Sequence, residues 1–235
     1  MKLSVAVLLA ASAPGIWAAP DPFDVYVANI EILQAKPVQS ELKITDAQRA
    51  ALNKHADWYN GQTKKVVDQL KTTKGTGADR QKGMTQISSL QDQLKGKVIG
   101  ELSSWQVKRL GQISLQQAGI VALLDSKVAK KVGMTEVQIK KLRTGWEASG
   151  KLVAEAEPKA RQPVFNKYKD KQPKDEKEAR ELSEAYNREM EAASKTLDPV
   201  LAKAKKDFEA NLLSTFTPGQ KKAWGDRKGP TFRAQ

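Results

Sequence analysis

The longest regular pattern in the chain runs from residue 178 to 213, where apolar residues recur every three or four positions. This spacing is typical of an amphipathic α-helix that buries one face. Asp198 and Pro199 interrupt the pattern as the N-cap and first residue of a new helix would, so we expect a kink there. The apolar set is Leu182, Tyr186, Met190, Ala193, Leu197, Leu201, Ala204, Phe208 and Leu212.

Shorter patterns of the same kind fill most of the remaining chain. They predict helices over 24–35, 46 to about 72, 79–102, 104–118 and 121–132, and another beginning at 136. No segment shows the alternation of apolar and polar residues that is typical of a half-buried strand. The predicted fold class is therefore all-α, built from elongated helical hairpins.

One short motif occurs four times in the chain. An apolar residue is followed by Thr or Ser, and Gln stands three positions after the hydroxyl residue. A hydroxyl at the N-cap can accept from the third helical amide while Gln at that position reaches back to the cap, so each copy predicts the start of a helix. The hydroxyl and Gln pairs are Thr45 and Gln48, Ser103 and Gln106, Thr135 and Gln138, and Thr217 and Gln220.

The sequence around these motifs indicates two duplicated halves. Residues 38–43 precede the first motif as residues 128–133 precede the third, and Leu52 aligns with Leu142. We predict a first half over 19–119, a second over 120–225 and a flexible tail over 226–235. The second half is longer, and its extra residues are assigned to a charged insertion near 155–178, where three prolines interrupt the chain.

The first eighteen residues have the pattern of a secretory signal peptide. A single positive charge at Lys2 precedes a short apolar run, small residues follow the run, and a cleavage site is predicted after Ala18. The run is too short to span a bilayer, so no membrane insertion is expected. The predicted location is outside the cytoplasm, either periplasmic or extracellular.

The formal net charge of +13 changes what the helices are expected to bind. Most of the 40 basic residues are lysines, which attract acidic partners as point charges, whereas arginine is the usual choice for reading phosphates and bases. Acidic or unfolded proteins are therefore favoured as partners, and no specific nucleic acid is expected. The lysines could equally serve only to keep exposed helix faces soluble.

The residues that usually carry catalysis are scarce. His55 is the only histidine and the chain has no cysteine, so neither a metal site nor a histidine-based nucleophilic relay is expected. Lys74 to Gly77 resembles a phosphate-binding loop only in its glycines, because no strand precedes it. We predict a protein that is not an enzyme and that needs no cofactor.

Two adjacent aromatic residues are the candidate binding residues. Trp58 and Tyr59 point about 100° apart on a helix, so one ring could be exposed beside Lys64 and Lys65. An exposed ring next to lysines could contact an unfolded chain. The other tryptophans of the helical region, Trp105, Trp146 and Trp224, are expected to pack between helices.

The fourfold motif resembles the LTxxQ-motif family, whose known members are Spy/CpxP-like periplasmic stress proteins and chaperones. The four Thr or Ser and Gln pairs match the family's boxes, and the resemblance is closest to a duplicated, long-chain branch of secreted bacterial proteins. It implies a curved, open helical bundle whose basic concave face holds unfolded clients without ATP. The duplication leaves open both a homodimer and a monomer that pairs its own halves.

Three functions of different classes fit these observations. The first is an exported ATP-independent chaperone that binds unfolded or acidic polypeptides through a basic, shallowly apolar surface. The second is an envelope stress-sensing or structural protein that docks one folded partner. The third, binding of an anionic polymer, has only the net charge in its favour and ranks last.

Overall fold

A computed structural model describes residues 19–72 and 77–233, and over these residues the protein is all-α, without any strand. The predicted signal peptide lies outside the described residues. The chain divides into two compact units: unit 1 is Met1–Gln117 with Arg227–Gln235, and unit 2 is Ala118–Asp226. No helix in the described ranges is both long enough and apolar enough to cross a membrane.

Unit 1 contains two long helices that form a hairpin, together with several shorter elements. The elements are α1 (Pro22–Val27), a 3-10 helix (Ile30–Gln34), α2 (Lys36–Glu41), α3 (Asp46–Thr72), α4 (Gly77–Gly100) and most of α5 (Ser104–Ala118). The continuous helix predicted over 24–35 is wrong. Ala28 and Asn29 are extended, and the Asn29 side chain accepts from the Glu31 amide to begin the 3-10 helix.

The core of unit 1 lies where the short elements meet the ends of the hairpin and α5. Each leucine or isoleucine fully buried there stabilises the fold by about 1.5–3 kcal/mol. Further along the hairpin, α3 and α4 approach closely because Gly83 has no side chain; a Cβ there would lie 2.6 Å from Leu70 Cδ1. The buried cluster is Ala28, Leu33, Val38, Leu42, Ile44, Val98, Leu102, Val107, Leu110 and Ile113.

Unit 2 is built from longer helices. Its elements are a 3-10 helix (Gly119–Leu124), α6 (Ser126–Lys131), α7 (Glu136–Tyr168), α8 (Glu176–Lys195), α9 (Asp198–Ser214) and most of α10 (Pro218–Lys228). The helix is interrupted at Thr196 and Leu197, one position before the predicted kink, because Leu197 rather than Asp198 is the N-cap of α9. Within the charged insertion, α7 continues through Pro158 and Pro163 and ends at Tyr168, so the helix is broken only around Pro173, before α8. Both prolines within α7 are exposed, so water can reach the carbonyl groups that lose their intrahelical donors.

The last described residues are ordered by hydrogen bonds to α5, in place of the predicted flexible tail. Arg109 Nη1 donates to the Pro230 carbonyl at 2.8 Å, and Gln116 Nε2 donates to the same carbonyl at 2.8 Å. The Phe232 amide donates to Gln116 Oε1 at 2.7 Å. Sequence periodicity could not predict this attachment, because it depends on side chains more than 100 positions away.

Candidate functional site

Each of the four motifs begins a helix, namely α3, α5, α7 and α10. In the third copy, Thr135 Oγ1 accepts from the Gln138 amide at 3.2 Å, and the Thr135 amide donates to Gln138 Oε1 at 2.9 Å. The same reciprocal pair of hydrogen bonds occurs at Thr45, Ser103 and Thr217. These hydroxyl residues therefore act locally, as helix caps.

The glutamines do more than cap, because the two motifs of unit 1 are joined through their side-chain amides. Gln48 Nε2 donates to Gln106 Oε1 at 2.9 Å, and Gln106 Nε2 donates back to Gln48 Oε1 at 3.0 Å. Each amide also donates to a backbone carbonyl before the other motif, that of Glu101 at 2.8 Å and that of Leu42 at 3.0 Å. We call this paired arrangement a glutamine clasp.

Unit 2 contains a second glutamine clasp of the same design. Gln138 and Gln220 donate to each other's side-chain oxygens at 3.0 and 2.9 Å. Their remaining N–H groups donate to the carbonyls of Thr215 and Gly133 at 3.0 and 2.7 Å. In both clasps every glutamine uses both side-chain N–H donors and accepts from its own cap and from its partner, which fully satisfies the amide. The clasps are structural, and they leave no polar group free for a ligand.

The sequence predicts the capping half of this arrangement but not the pairing. Capping depends on residues three positions apart, whereas the paired glutamines lie 58 and 82 positions apart. One signal was available. All four copies carry Gln, although Glu would cap as well. An ionised Glu side chain only accepts hydrogen bonds, whereas the Gln amide can both donate to and accept from a second Gln. The clasps look alike, while duplication of the whole halves stays a prediction.

The four candidate client-binding residues do not form one exposed patch. Trp58 is half-buried, with Lys97 Nζ lying 4.9 Å from the centre of its ring, and Tyr59 is also half-buried. Lys64 is exposed but forms an ion pair with Asp68, and its hydrogen bond holds the pKa of that carboxyl below the ordinary value. Lys65 is exposed. This part of α3 therefore offers charge but little free apolar surface.

A more distinct surface lies in unit 2, which we call the apolar groove. It is a cavity of about 600 Å³ between α7, α9 and the 3-10 helix Gly119–Leu124. Two large side chains beside it are unusually exposed: Trp146 by 42% and Leu201 by 45%. Trp146 is held by an edge-to-face contact with Phe208, at 5.5 Å between ring centres. The lining is Ala118, Val121, Trp146, Ser149, Gly150, Val153, Ala154, Glu157, Leu201, Ala204 and Lys205.

The sequence explains why the groove is open and what charge it carries. Ser149, Gly150 and Ala154 are small, so α7 fills little of the space in front of α9. Glu157 is paired with Arg161 at 2.6 Å, whereas Lys205 has no ion-pair partner among the described residues. The unpaired charge at the groove is therefore positive. Sequence reasoning placed Trp146 in a packing role and missed this surface, because both exposed residues continue regular helical stripes.

A second aromatic cluster lies near the end of α7. The rings of Tyr168 and Tyr186 meet edge to face at 5.5 Å, and Glu189 accepts from Lys167 Nζ at 2.6 Å and from the Tyr168 hydroxyl at 2.8 Å. The hydrogen bond from Lys167, followed by that from Tyr168, lowers the pKa of Glu189. The same contacts raise the pKa of Lys167 and of Tyr168. This cluster ties α7 to α8.

The single histidine of the sequence lies in unit 1. His55 Nε2 lies 2.9 Å from Glu101 Oε1, at the base of the α3–α4 hairpin. No group of three or more His, Cys, Asp or Glu side chains in residues 19–72 and 77–233 could hold a metal ion.

Comparison with known proteins assigns no relative to the chain: no family model, curated protein or solved structure matches it.

Proposed function

We propose that this protein is an exported, ATP-independent, chaperone-like protein that binds unfolded polypeptides. The observation that carries the proposal is the apolar groove, with Trp146 and Leu201 exposed beside a cavity of about 600 Å³. An open groove with several apolar side chains and few polar ones imposes little demand on the sequence of its occupant. Such a surface suits the varied apolar segments of unfolded chains.

Charge supports the same occupant. The groove has Lys205 at its edge, and the whole chain has a formal net charge of +13. Long-range attraction speeds the encounter with chains that carry acidic residues, while the apolar contact slows their release. We therefore expect the preferred segment to be apolar with acidic residues on its flanks.

The resemblance to the LTxxQ-motif family agrees with this proposal through the four helix caps. The glutamine clasps give those motifs a clear structural task, which is to hold two helix starts together in each unit. A rigid frame of this kind lowers the entropy lost when a surface binds a client. The clasps support the frame of the proposed binder without contacting the client.

The test is suppression of client aggregation by the chain lacking residues 1–18, without nucleotide. Leu201→Gln removes an exposed apolar side chain from the groove. Leu152→Gln makes the same change on α7 at a residue that is 57% exposed and does not line the groove. We expect Leu201→Gln to weaken suppression several-fold and Leu152→Gln to leave it within about twofold, because only the first reduces the apolar contact.

Three outcomes would count against the proposal. Absence of suppression at any ratio of protein to client would overturn it. Equal losses in the two variants would show that the groove is not the binding surface. A single stoichiometric complex with one folded protein, and no general activity, would favour the alternative function of docking one folded partner in an envelope stress response.

Export is tested separately, because it depends on residues outside the described structure. Expression with the complete N-terminus in a bacterium that has a secretory pathway is expected to release a protein beginning at Ala19. Sequencing of its first residues by mass spectrometry checks the site. Retention in the cytoplasm with Met1 in place would contradict the proposed location.

A further inference from the structure

Unit 1 contains a second hollow, which we call the cationic hollow. Its volume is about 520 Å³, and it lies between α2, the turn that follows α2 and the C-terminal segment. Three basic side chains line it: Lys36, Lys43 and Arg233. Lys36 is the first residue of α2, Lys43 lies in the turn after α2, and Arg233 lies almost 200 residues further along the chain. Folding, rather than a run of charge in the sequence, brings them together.

The only acidic residue of the lining is already engaged. Glu41 Oε1 accepts from Arg109 Nε at 2.7 Å and lies 2.5 Å from Arg109 Nη2. Arg109 is buried, and this ion pair balances its charge. The charges of Lys36, Lys43 and Arg233 therefore have no acidic counterpart in the lining of the hollow.

The C-terminal wall of the hollow is held in position. Arg109 and Gln116 both donate to the Pro230 carbonyl, and the Phe232 amide donates to Gln116. The Phe232 side chain packs against the buried core of unit 1. Because these contacts fix the backbone immediately before Arg233, this side chain is kept at the hollow at a small cost in entropy.

Lys43 occupies a backbone conformation that favours glycine, with φ at +50°. The residue at the same position before the third motif is Gly133, which has φ at +81°. A side chain in this conformation costs roughly 1 kcal/mol. Glycine would therefore suit the turn better than the lysine that occupies it. Non-glycine residues held in such conformations concentrate at functional sites. Here the strained residue is also one of the three cations.

We propose that the cationic hollow binds a carboxylate-rich segment of a polypeptide. The arginine fork pairs with one carboxylate, the two lysines attract others as point charges, and the Phe232 ring contacts the aliphatic part of an acidic side chain. The three cations surround a hollow of about 520 Å³, and a hollow of this volume can hold several side chains rather than a single small ion. This site lies in unit 1 and does not depend on the apolar groove of unit 2.

The test measures binding of a fluorescent hexaglutamate peptide by anisotropy, using the chain from residue 19 to 235. Lys43→Gly removes a cation and relieves the backbone, so it is expected to weaken binding about three- to fivefold while raising the melting temperature by about 2 °C. Arg233→Gln should weaken binding at least as much. Lys82→Gln removes an exposed lysine of α4 and serves as the control, with binding unchanged within about 1.5-fold.

Lys43→Gly is expected to weaken peptide binding but to raise the melting temperature, so a loss of binding in this variant cannot be caused by unfolding. A purely structural lysine would alter stability alone, and wild-type affinity in that variant would overturn the proposal. Equal weakening in Lys82→Gln would also overturn it, by showing that net charge alone attracts the peptide. Tripolyphosphate and hexaglutamine are tested as further ligands. If the protein binds tripolyphosphate but does not bind hexaglutamate, the hollow is not a peptide site. Hexaglutamine, which has no carboxylate side chains, should not bind.

Discussion

Gln106 shows how much of this fold depends on single amide groups. Its side-chain oxygen accepts from the Ser103 amide at 2.8 Å and from Gln48, and its nitrogen donates to the Leu42 carbonyl and to Gln48. The residue is 6% exposed, so water cannot readily replace these partners. Every hydrogen-bonding position of the amide is occupied, which makes this residue a sensitive point of unit 1.

Gln106→Ala is therefore expected to lower the free energy of unfolding by about 2–4 kcal/mol, because it leaves buried backbone groups without partners. Urea unfolding followed by circular dichroism measures the change. Gln93→Ala, at an exposed position of α4, provides the control and should alter stability by less than about 0.5 kcal/mol. A loss below 1 kcal/mol in Gln106→Ala would mean that the clasp contributes little.

The clasp also predicts energetic coupling between its two glutamines. Once Gln106 is absent, Gln48 has lost its partner, so Gln48→Ala should cost less in that background than in the wild type. A double-mutant cycle is expected to give a coupling of about 1–2 kcal/mol. Additive losses would show that each glutamine acts only as a cap of its own helix.

Gly133 offers a test of backbone conformation alone. Its φ is +81°, and a Cβ there would meet no atom within 4 Å, so Gly133→Ala introduces backbone strain without a clash. We expect a loss of about 1 kcal/mol in unfolding free energy. Gly61→Ala, inside α3 and equally free of neighbours, should instead raise stability by about 0.5–1 kcal/mol. Changes of the same sign would contradict this account.

At the level of elements, the sequence predicts helix starts better than anything else. The four caps begin α3, α5, α7 and α10 because capping chemistry is contained within four residues. The short elements between the motifs are harder to predict from the sequence. The segment from Pro22 to Gln34 has the composition of one helix, but the Asn29 side chain stabilises an extended residue and a new start at Ile30.

Long-range features could not be read from periodicity. Pro158 and Pro163 predict a break, yet the packing of α7 along α8 and α9 keeps the helix continuous. The apolar groove depends on residues from three separate segments, and the cationic hollow depends on residues from two. Local patterns determine which face of a helix is apolar, but only packing decides which part of that face stays uncovered.

The contact between α7 and α8 gives a prediction for pH. Hydrogen bonds from Lys167 and Tyr168 hold the pKa of Glu189 below its ordinary value of 4.5. A carboxyl whose pKa is lowered by folding stabilises the protein above its unfolded pKa, and this contribution disappears as pH falls through the folded pKa. The Glu189 carboxylate thus strengthens the α7–α8 contact near neutral pH.

Glu189→Gln is accordingly expected to melt at a lower temperature than the wild type at pH 7, and the difference in melting temperature should be smaller at pH 3. Differential scanning calorimetry at both values checks the difference. Glu184→Gln, at an exposed position of α8, controls for the loss of one negative charge. If the difference between Glu189→Gln and the wild type persists undiminished at pH 3, ionisation of Glu189 is not its cause.

For the whole molecule, the two proposed surfaces divide the work of binding by chemistry. Unit 2 provides apolar contact through its groove, and unit 1 provides cations in its hollow. An acidic stretch would suit the cationic hollow of unit 1, and an apolar stretch would suit the apolar groove of unit 2. The formal net charge of +13 acts on either encounter at long range.

These contributions respond differently to salt, and that difference separates them. The Debye length falls from about 10 Å at 0.1 M to about 3 Å at 1 M ionic strength, so screening removes long-range attraction but leaves apolar contact intact. Between about 0.05 and 0.5 M sodium chloride, the association rate of an unfolded client should fall about tenfold while its dissociation rate changes less than about threefold. Stopped-flow fluorescence measures both rates. Rates that are insensitive to salt would mean that the lysines only keep the helix faces soluble and that the groove alone captures the client.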